Sequence, residues 1–528
     1  MSSSQSRSLL FFPHLVIVAT CIKLLTLRTY KSTDFDVHRN WLSITHSLPL
    51  RQWYTESTSQ WTLDYPPFFA YFQFLMSLVA ARIDPDMVRI TDLPIRSSNA
   101  IYFQCLTVIL SDMVYYYAVY RCIQFMVSES PCSLPFRYQC SVYWIRSERQ
   151  DVDPETRDWF YPPLLLSILL IFSPGLLIVD HIHFQYNGFL SGIFLLSILY
   201  IMQSQFLKGC IMFTILLHLK HIYLYVAPVF FVYVLRRHCL DMHMNLRIKN
   251  LVRVSGSVIV ISLFSLAPFL HQLLQLKQRL FPFKRGLTHA YWAPNIWSVY
   301  NAADYLLAKI MRKKSETPAY MTGLVQEFDH LILPSISPLI TFLITISAFA
   351  PVLLVLWKRC HFTANPHILF LRSVVLCSLS AFLFSWHVHE KAILMSILPL
   401  TLLAILSQVD ARTWIMITIS GTVSLFPLLI TTAETPVKVS MTLAYFAYAL
   451  PALSFYARLN ESQVMLSKLD KVYIAGFVVL QLFVSLILPL SGMQSRLQFL
   501  PLALTCLYCT FGLIVSYVRF YYALLLIK

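Results

Sequence analysis

The chain has 528 residues, of which 57% are hydrophobic and 12% are charged, and its mean hydropathy is +0.63. Soluble domains carry roughly 25% charged residues, so this composition excludes an ordinary soluble protein. The formal net charge is +16, but the basic residues lie in short clusters between apolar runs. That pattern is typical of cytoplasmic loops of membrane proteins and argues against nucleic-acid binding.

Apolar runs long enough to span a bilayer recur from one end of the chain to the other. The sequence therefore predicts an all-α polytopic membrane protein with about 11 to 14 transmembrane helices, in a single domain over residues 1–528. Two long polar loops interrupt the apolar pattern, at 31–65 and at 275–334. The predicted spans centre on residues 9–29, 66–84, 99–126, 162–180, 187–206, 210–235, 251–273, 335–357, 367–386, 391–408, 412–432, 439–457, 471–491 and 498–526.

The first polar loop begins with KSTDFDVHRNW, residues 31–41. Residues two apart on a helix point about 200° apart, so Asp34 and Asp36 cannot share a face, whereas Asp34 and His38 can. Two interpretations stay open. Either Thr33 or Asp34 caps a helix while Asp36 offsets its dipole, or the cluster takes part in catalysis.

A further acidic residue, Asp64, lies in LDYPPFF at the start of the second predicted span. Pro66 and Pro67 hold the preceding residue Tyr65 in an extended conformation, and proline is also tolerated in the first turn of a helix. The prolines account for the turn, but they do not account for the acid.

The segment VDHIHFQYNG places Asp180, His181, His183, Gln185 and Asn187 between two apolar runs. Polar groups at membrane depth are costly unless they pair or line a wet cavity, so this segment is a functional candidate. A helix-packing hydrogen bond is the alternative interpretation. The His-x-His spacing alone does not predict a metal site, since zinc requires three or four converging ligands.

Three further cationic positions follow. Lys220 lies in an apolar run, where a lysine either reaches the interface or meets an anion. Arg285 lies in RLFPFKRGLTHAYWAPNIW, in which arginine and aromatic residues suit phosphate and sugar, although an interfacial aromatic belt is an equal explanation. FSWHVHEKAIL contains His389, Glu390 and Lys391, and its cationic groups can hold a phosphate leaving group.

Only 11 glycines occur in the chain, and it contains neither a Walker sequence nor a GxGxxG motif after a strand. Phosphate-binding loops need glycine because backbone amides must approach the anion closely. If the protein is an enzyme, we therefore expect its substrates to arrive through the membrane.

In this order, the segments DFDVHRNW, LPLRQWY, LDYPP, DHIHFQYN, RLFPFKRG with NIW, and HVHEKAIL resemble motifs of one family. It comprises the endoplasmic-reticulum glucosyltransferases that complete the dolichol-linked oligosaccharide, and the resemblance covers nearly the whole chain. Within the family, DFDVHRNW is most similar to the enzymes that add the second glucose, in α-1,3 linkage.

The resemblance implies the multispanning fold of glycosyltransferases that use lipid-phosphate sugars (the C-type fold), with luminal loops forming the active site. It also implies dolichyl phosphate glucose as donor and the glycan on dolichyl pyrophosphate as acceptor, in the endoplasmic reticulum membrane. Asp34 matches the family's general base, and relatives carry Glu at the position of Asp36. Asp64 matches the second loop acid, and the segment 389–391 matches the motif for the donor phosphate.

Asp34 is thus the candidate catalytic residue, and we expect no metal, cofactor or nucleic acid. The candidate substrate-binding residues are Asp36, His38, Arg39, Asp64, Tyr65, His183, Gln185, Lys220, Arg285, His389, Glu390 and Lys391.

Two alternatives remain: a polytopic transporter or flippase of a lipid-linked sugar, since intramembrane charges also mark transport pathways, and the first-glucose transferase of the same family. No inverted hydropathy repeat supports the transporter.

Overall fold

The structure, a computed structural model, describes residues 10–128, 133–149, 152–281, 283–289, 292–312, 328–460, 465–492 and 497–526. Within these ranges the chain is helical, and its only β-type pairing is an isolated antiparallel bridge between Leu240 and Leu246. The α-helices are α1 (Phe12–Leu25), α2 (Thr33–Ser47), α3 (Pro67–Ile83), α4 (Ser98–Met126), α5 (Leu134–Arg149), α6 (Pro154–Trp159), α7 (Pro162–Ile171), α8 (Asn187–Met202), α9 (Phe206–Leu219), α10 (Ala227–Val234), α11 (Ile248–Leu266), α12 (Leu273–Leu280), α13 (Ile296–Ile310), α14 (Pro338–Arg359), α15 (Pro366–Phe384), α16 (Leu394–Leu403), α17 (Gln408–Ser424), α18 (Thr435–Asn460), α19 (Lys468–Leu482) and α20 (Leu500–Leu525).

Shorter helical segments connect or extend these helices. Two are single α-turns, Pro174–Leu176 and Leu488–Leu490. Three are π-helices, Leu177–Phe184, Leu235–Cys239 and Phe483–Ile487. The 3₁₀ segments are Leu50–Gln52, Pro85–Val88, His221–Val226, Ala267–Gln272, Phe283–Arg285, Glu390–Ile393, Phe426–Leu428 and Thr432–Glu434.

Seven helical stretches among the described residues are long and apolar enough to cross a membrane, and four shorter apolar helices accompany them. The prediction of an all-α polytopic membrane protein is confirmed, whereas the predicted number of spans stays a prediction. The stretches differ in environment: 89% of the most apolar window of Pro366–Phe384 is buried in protein, against 11% for Ile248–Leu280. The first is thus a core helix, while the second presents its side chains to lipid.

The described residues form two compact units. The first comprises Met1–Leu134 and Leu170–Pro282, and the second comprises Pro135–Leu169 and Phe283–Lys528. The prediction of a single domain over 1–528 stays a prediction. The first predicted polar loop contains α2, and the second contains α13, while residues 282, 290–291 and 313–327 of the second lie outside the described residues.

In the first unit, α8 packs against α4 and α9. Gly192 makes the approach to α4 possible, because a Cβ atom there would lie 2.7 Å from the backbone nitrogen of Tyr115. In the second unit, α17 packs against α20, and α15 packs against α14 and α16. The fully buried Trp414 donates its indole N–H to Thr401 Oγ1 at 2.9 Å, which satisfies its polar atom inside this core.

Candidate active site

The N-cap of α2 shows whether the carboxylate of Asp34 is used to cap this helix. The N-cap residue is Ser32, whose Oγ accepts the backbone N–H of Asp34 at 3.1 Å and donates to the carbonyl of His183 at 2.6 Å. The interpretation that Thr33 or Asp34 caps this helix is therefore wrong. With the cap supplied by serine, the carboxylate of Asp34 is directed to other partners.

Those partners come from the DHIHFQYNG segment. Gln185 Nε2 donates to Asp34 Oδ2 at 2.7 Å, and His183 Nε2 lies 3.1 Å from the same oxygen. The Asp34 side chain keeps 24% of its surface exposed. Two N–H donors favour and orient a charged carboxylate, and the remaining exposure leaves it accessible. We name Asp34, Asp64, Tyr65, His183 and Gln185 the acid site.

An irregular backbone aims these two donors at Asp34. Leu177–Phe184 forms a π-helix, and Gln185 N–H reaches the Asp180 carbonyl at 3.3 Å. Phe184 has φ of +87°, a left-handed conformation uncommon for residues other than glycine. π-Helical segments are rare and frequently lie at functional sites, and here the segment places His183 and Gln185 on the same carboxylate.

A buried ion cluster lies behind this segment. Lys23 Nζ is 2.6 Å from Asp112 Oδ2, and His181 Nε2 is 2.8 Å from the same oxygen, with side-chain exposures of 5%, 2% and 3%. Lys31 Nζ also donates to the His181 carbonyl at 3.1 Å. Because buried charges are stable only when paired, the cluster fixes the π-helix between α1 and α4. His181 and His183 therefore contact different carboxylates, those of Asp112 and Asp34. This arrangement does not favour a metal ion bound by both histidines.

The second buried acid, Asp180, is used for scaffolding. Its carboxylate accepts from Asn187 Nδ2 at 2.9 Å and from the Gly188 N–H at 2.5 Å. A Cβ atom at Gly188 would lie 2.1 Å from Asp112 Oδ1, so this position requires glycine. Lys220 donates to Asn187 Oδ1 at 3.0 Å and thus belongs to the same network.

Tyr65 lies among the acids. Lys220 Nζ is 5.1 Å from the centre of its ring, and the Tyr54 hydroxyl donates to its carbonyl at 2.7 Å. Burial, and next the negative charges of Asp64, Asp34 and Asp180, hold the pKa of Tyr65 well above its ordinary value. The Tyr65 hydroxyl is therefore a stable proton donor beside these carboxylates.

The path of the loop that carries Asp64 is set by α2. Asn40 Nδ2 donates to the Trp61 carbonyl at 2.8 Å, and Trp41 Nε1 donates to the Thr62 carbonyl at 3.0 Å. These bonds hold residues 61–62 against α2, the helix whose first turn carries Asp34. The sequence motif LDYPP and the first-loop motif thus meet in one site.

Three other candidates of α2 are fully buried and engaged by the protein. Asp36 accepts two bonds from Arg96, at 3.0 and 2.6 Å. Arg39 donates to the carbonyl of Arg89 at 2.8 Å. His38 packs edge-on against Trp41, at 4.7 Å between ring centres. Their predicted contact with substrate stays a prediction, and the geometry favours a structural role for each.

The second cluster lies in the second unit, between α15 and α16. His387 has φ of +49°, its backbone N–H donates to the Leu287 carbonyl at 2.9 Å, and its Nδ1 donates to the Gly286 carbonyl at 3.0 Å. Trp297 Nε1 donates to the carbonyls of Phe384 and Ser385. Gly286, Leu287 and Trp297 therefore hold the backbone of this turn.

The imidazoles of the turn gather around one carboxylate. Glu390 Oε2 lies 2.9 Å from His389 Nδ1 and 3.7 Å from His289 Nδ1, and Glu390 is 1% exposed. The rings of His289 and His389 stack with centres 4.0 Å apart. Sequence reasoning did not single out His289, although it lies in the quoted THAYW stretch. We name His289, His387, His389, Glu390 and Lys391 the histidine turn.

Burial and like charge keep two of these imidazoles neutral. Burial, with the nearby Arg285 guanidinium adding to it, lowers the pKa of His387 to about 4. Burial, and then the cationic forms of His389, His387 and Lys391, hold the pKa of His289 well below its ordinary value. The charged forms of these two imidazoles are thus disfavoured by burial and by neighbouring cations, and the carboxylate of Glu390 only partly offsets this.

His289, His389 and Glu390 are also the residues that could hold a metal ion, since their ligand atoms lie within 4.8 Å of one another. Two imidazoles and one carboxylate form a set that zinc accepts. His389 Nδ1 lies 2.9 Å from Glu390 Oε2, whereas the 3.7 Å from His289 Nδ1 to the same oxygen is longer than a hydrogen bond. The expectation that the protein needs no metal stays a prediction.

Comparison with known proteins agrees with the motifs. The model of the ALG6, ALG8 glycosyltransferase family matches residues 19–520. The chain belongs to this family. A mouse relative named dolichyl pyrophosphate Glc1Man9GlcNAc2 alpha-1,3-glucosyltransferase is 43% identical, over 98% of this chain and 96% of its own. The bovine protein of that name is 40% identical with the same coverage, and a Drosophila melanogaster protein named as a probable member is 42% identical over 97% of this chain and 94% of its own.

The family membership predicted from the six ordered motifs is thus confirmed. Family membership does not establish the roles of individual residues, which stay predictions.

Proposed function

We propose that the protein transfers glucose from dolichyl phosphate glucose to the singly glucosylated, mannose-rich glycan on dolichyl pyrophosphate, in α-1,3 linkage. The acceptor follows from the names that the similar proteins carry, over nearly their whole length. The observation that supports the chemistry is the carboxylate of Asp34, oriented by Gln185 and His183 and still partly exposed.

In the proposed reaction Asp34 acts as the general base. The acceptor hydroxyl oxygen bonds to C1 of glucose while the bond from C1 to the phosphate oxygen breaks. The hydroxyl proton passes to Asp34, and the phosphate leaves with the bonding electrons. A single displacement converts a β-linked donor into an α-linked product. A positioned base of this kind is typically worth about 10² to 10⁴ in rate.

The leaving phosphate needs compensation of charge more than it needs a proton. We assign that role to the histidine turn, with Lys391, His389 and Arg285 as the groups that meet the phosphate. An arriving anion offsets the repulsion among the cations of the turn, so binding favours protonation of its imidazoles. The donor diester carries one negative charge and the leaving dolichyl phosphate carries two, because its proton-free oxygen keeps the bonding electrons. Three cationic side chains can offset this charge, and the proposal uses no metal.

We place the protein in the endoplasmic reticulum membrane with the loop at residues 31–65 in the lumen. The exposed Ser57 in that loop offers a test of orientation. In sealed microsomes, Ser57→Cys should react with a membrane-impermeant maleimide only after permeabilisation. Labelling of intact microsomes would place the loop in the cytosol and exclude a luminal acid site.

One assay tests the activity itself. Purified protein receives labelled dolichyl phosphate glucose and acceptors that carry zero, one or two glucoses. We expect a product only from the acceptor with one glucose, and about 10² to 10⁴ times slower formation of that product by the Asp34→Asn variant. A product from the acceptor without glucose would identify the first-glucose enzyme instead.

The same preparation distinguishes the transporter alternative. In proteoliposomes, a flippase moves labelled lipid between leaflets without forming a glycosidic bond, and this movement does not depend on Asp34 acting as a base. Transport without product, equal for Asp34→Asn and the natural chain, would contradict the proposed enzyme.

A further inference from the structure

A cavity of about 330 Å³ lies in the second unit, between the first turns of α17 and the last turns of α20. Its lining combines two arginines with apolar and hydroxyl side chains. The residues that matter for its chemistry are Arg412, Met416, Ser516, Arg519, Ala523 and Leu526. None of them belongs to the acid site or to the histidine turn.

The cavity carries excess positive charge. Arg412 Nη2 lies 2.5 Å from Asp470 Oδ2, and Arg519 Nη1 lies 2.9 Å from Asp470 Oδ1. Asp470 also accepts the N–H and the hydroxyl of Ser467, as part of the capping box of α19. Two guanidinium groups thus share one carboxylate, which also accepts two hydrogen bonds from Ser467. These groups leave a net positive charge beside the cavity.

Polar atoms in the lining also lack protein partners. The hydroxyl of Ser516, in a residue that is 2% exposed, and Nε of Arg412 are buried and make no hydrogen bond within the described part of the chain. Buried polar groups are nearly always hydrogen-bonded, so such atoms at a cavity indicate a ligand that supplies acceptors. A phosphate oxygen accepts from both guanidinium and hydroxyl groups.

The other side of the cavity is apolar. Met416, Ala523 and Leu526 line it, and Leu526 is 60% exposed at the end of α20. A soluble anion gains no binding free energy from this apolar surface, whereas a lipid can place its phosphate at the arginines and an acyl chain along the apolar residues.

The cavity lies at one membrane face. Arg359, the last residue of α14, donates to the Leu525 carbonyl at 3.4 Å, and Arg372 near the start of α15 pairs with Asp410 at 2.5 Å. The histidine turn follows the other end of α15, whose 19 residues span about 28 Å at 1.5 Å per residue. That length matches the hydrocarbon thickness of a bilayer, so the cavity and the turn face opposite leaflets.

From these observations we propose that the cavity binds one anionic phospholipid from the leaflet opposite the histidine turn. Its phosphate contacts Arg412, Arg519 and Ser516, and an acyl chain packs on Met416 and Leu526. Four basic residues lie in the terminal turns of α14 and α19 at this end: Lys358, Arg359, Lys468 and Lys471. Basic residues in such positions are typical of the cytoplasmic ends of membrane spans. The lipid is a bound component and not a reactant.

Native mass spectrometry of the full-length protein in detergent tests this proposal, with phosphatidic acid, phosphatidylcholine and inorganic phosphate added separately. Ala523→Trp fills the cavity without touching Asp470, and Arg519→Gln removes one guanidinium. Val518→Trp, at a position of α20 that is 57% exposed, and Lys358→Gln are the matched controls. Thermal melting of each variant verifies folding.

We expect one phosphatidic acid to stay bound to the natural chain and to both controls. Each cavity variant should lose about 10- to 100-fold in affinity, as expected when a charged hydrogen-bond donor or the space itself is removed. Equal retention by the cavity variants and their controls would overturn the site. Inorganic phosphate that displaces the lipid would overturn the assignment to a lipid and identify a site for a free anion.

Discussion

The acid site and the histidine turn both lie at a backbone irregularity beside an apolar helix. Phe184, between two members of the acid site, and His387, in the histidine turn, are residues other than glycine with positive φ. They differ in how they hold charge. At the acid site, donors converge on Asp34, and a buried ion cluster fixes the segment that carries them. At the turn, cationic groups surround one carboxylate, and the pKa values of His289 and His387 are lowered.

This difference matches two chemical tasks. A general base must be ionised and oriented before the substrate arrives, which a network of donors provides. A site for a leaving anion needs groups that offset the charge of the anion when it arrives. We assign this role to Lys391, His389 and Arg285, while burial keeps His289 and His387 neutral. Variants of the two sites should therefore fail in different ways.

The largest expected effect is at Asp34. Asp34→Asn keeps the shape of the side chain and removes the base, so kcat should fall by about 10² to 10⁴. Asp86→Asn, an exposed acid of the same unit, is the control and should retain activity. The measurement is steady-state glucose transfer by purified protein with equal melting temperatures, and full activity of Asp34→Asn would refute the assignment of the base.

Gln185→Leu should have a smaller effect, about 10-fold in kcat, because it removes one hydrogen bond to a charged group. Without this donor the charged carboxylate of Asp34 is less favoured, so the acid limb of the pH–rate profile should move to higher pH. Gln205→Leu, on the exposed surface, is the control. A lower rate with an unmoved pH profile would indicate a purely structural role for Gln185.

At the histidine turn, Lys391→Ala should act on the donor. We expect the KM for dolichyl phosphate glucose to rise by about 10-fold, the cost of losing one charge-assisted contact, with little change for the acceptor. Lys358→Ala is the control for loss of a lysine in the same unit. Steady-state kinetics with each substrate varied separately measure both KM values. A rise in KM for the acceptor alone would contradict the assignment of Lys391 to the donor.

The neutral state of His387 predicts a dependence of stability on pH. Its pKa is about 4 in the folded protein and about 6.5 when unfolded, so the unfolded state binds more protons between these values. Stability from this group is complete above about pH 6.5 and falls by about 3 kcal/mol as the pH drops to about 4. Melting temperatures of the natural chain and of His387→Asn check this, since the variant should lose that part of the pH dependence.

The smallest expected effect concerns metals. Because the proposed reaction uses cationic side chains and no metal, we expect dialysis against a chelator to change glucose transfer by less than about twofold. Elemental analysis of the same samples provides the second measurement. Lost activity that returns with a stoichiometric divalent ion would show that these side chains hold a metal.

The sequence predicted the helical membrane fold and the family because both depend on features spread along the whole chain. It also named Asp34, Asp64, His183 and Gln185 as candidate site residues, and their roles stay predictions. Spacing alone could not bring Asp34 and Gln185 together, since they are 151 residues apart. The helix cap was assigned to the wrong residue. In STD, three adjacent residues can each cap a helix, and the contact of Ser32 with His183 decides among them.

The ion cluster was missed for a related reason. Lys23 and Asp112 each lie alone in an apolar run, and a lone intramembrane charge is itself a signal of a buried partner. The sequence around each charged residue does not indicate its partner, because Lys23 and Asp112 are 89 residues apart and Asp112 and His181 are 69 residues apart. A search for isolated charges of opposite sign in predicted spans would have suggested the pair.

The pairing of Lys23 with Asp112 also has a consequence for biosynthesis. At about 5 to 20 residues per second, the ribosome adds the 89 residues between them in roughly 4 to 18 seconds. During that interval the ammonium group of Lys23 lacks this counter-ion, because Asp112 has not yet been made. The nascent chain must keep that end of α1 in contact with water or the insertion machinery, and completion of α4 then allows α1 to settle fully into the bilayer.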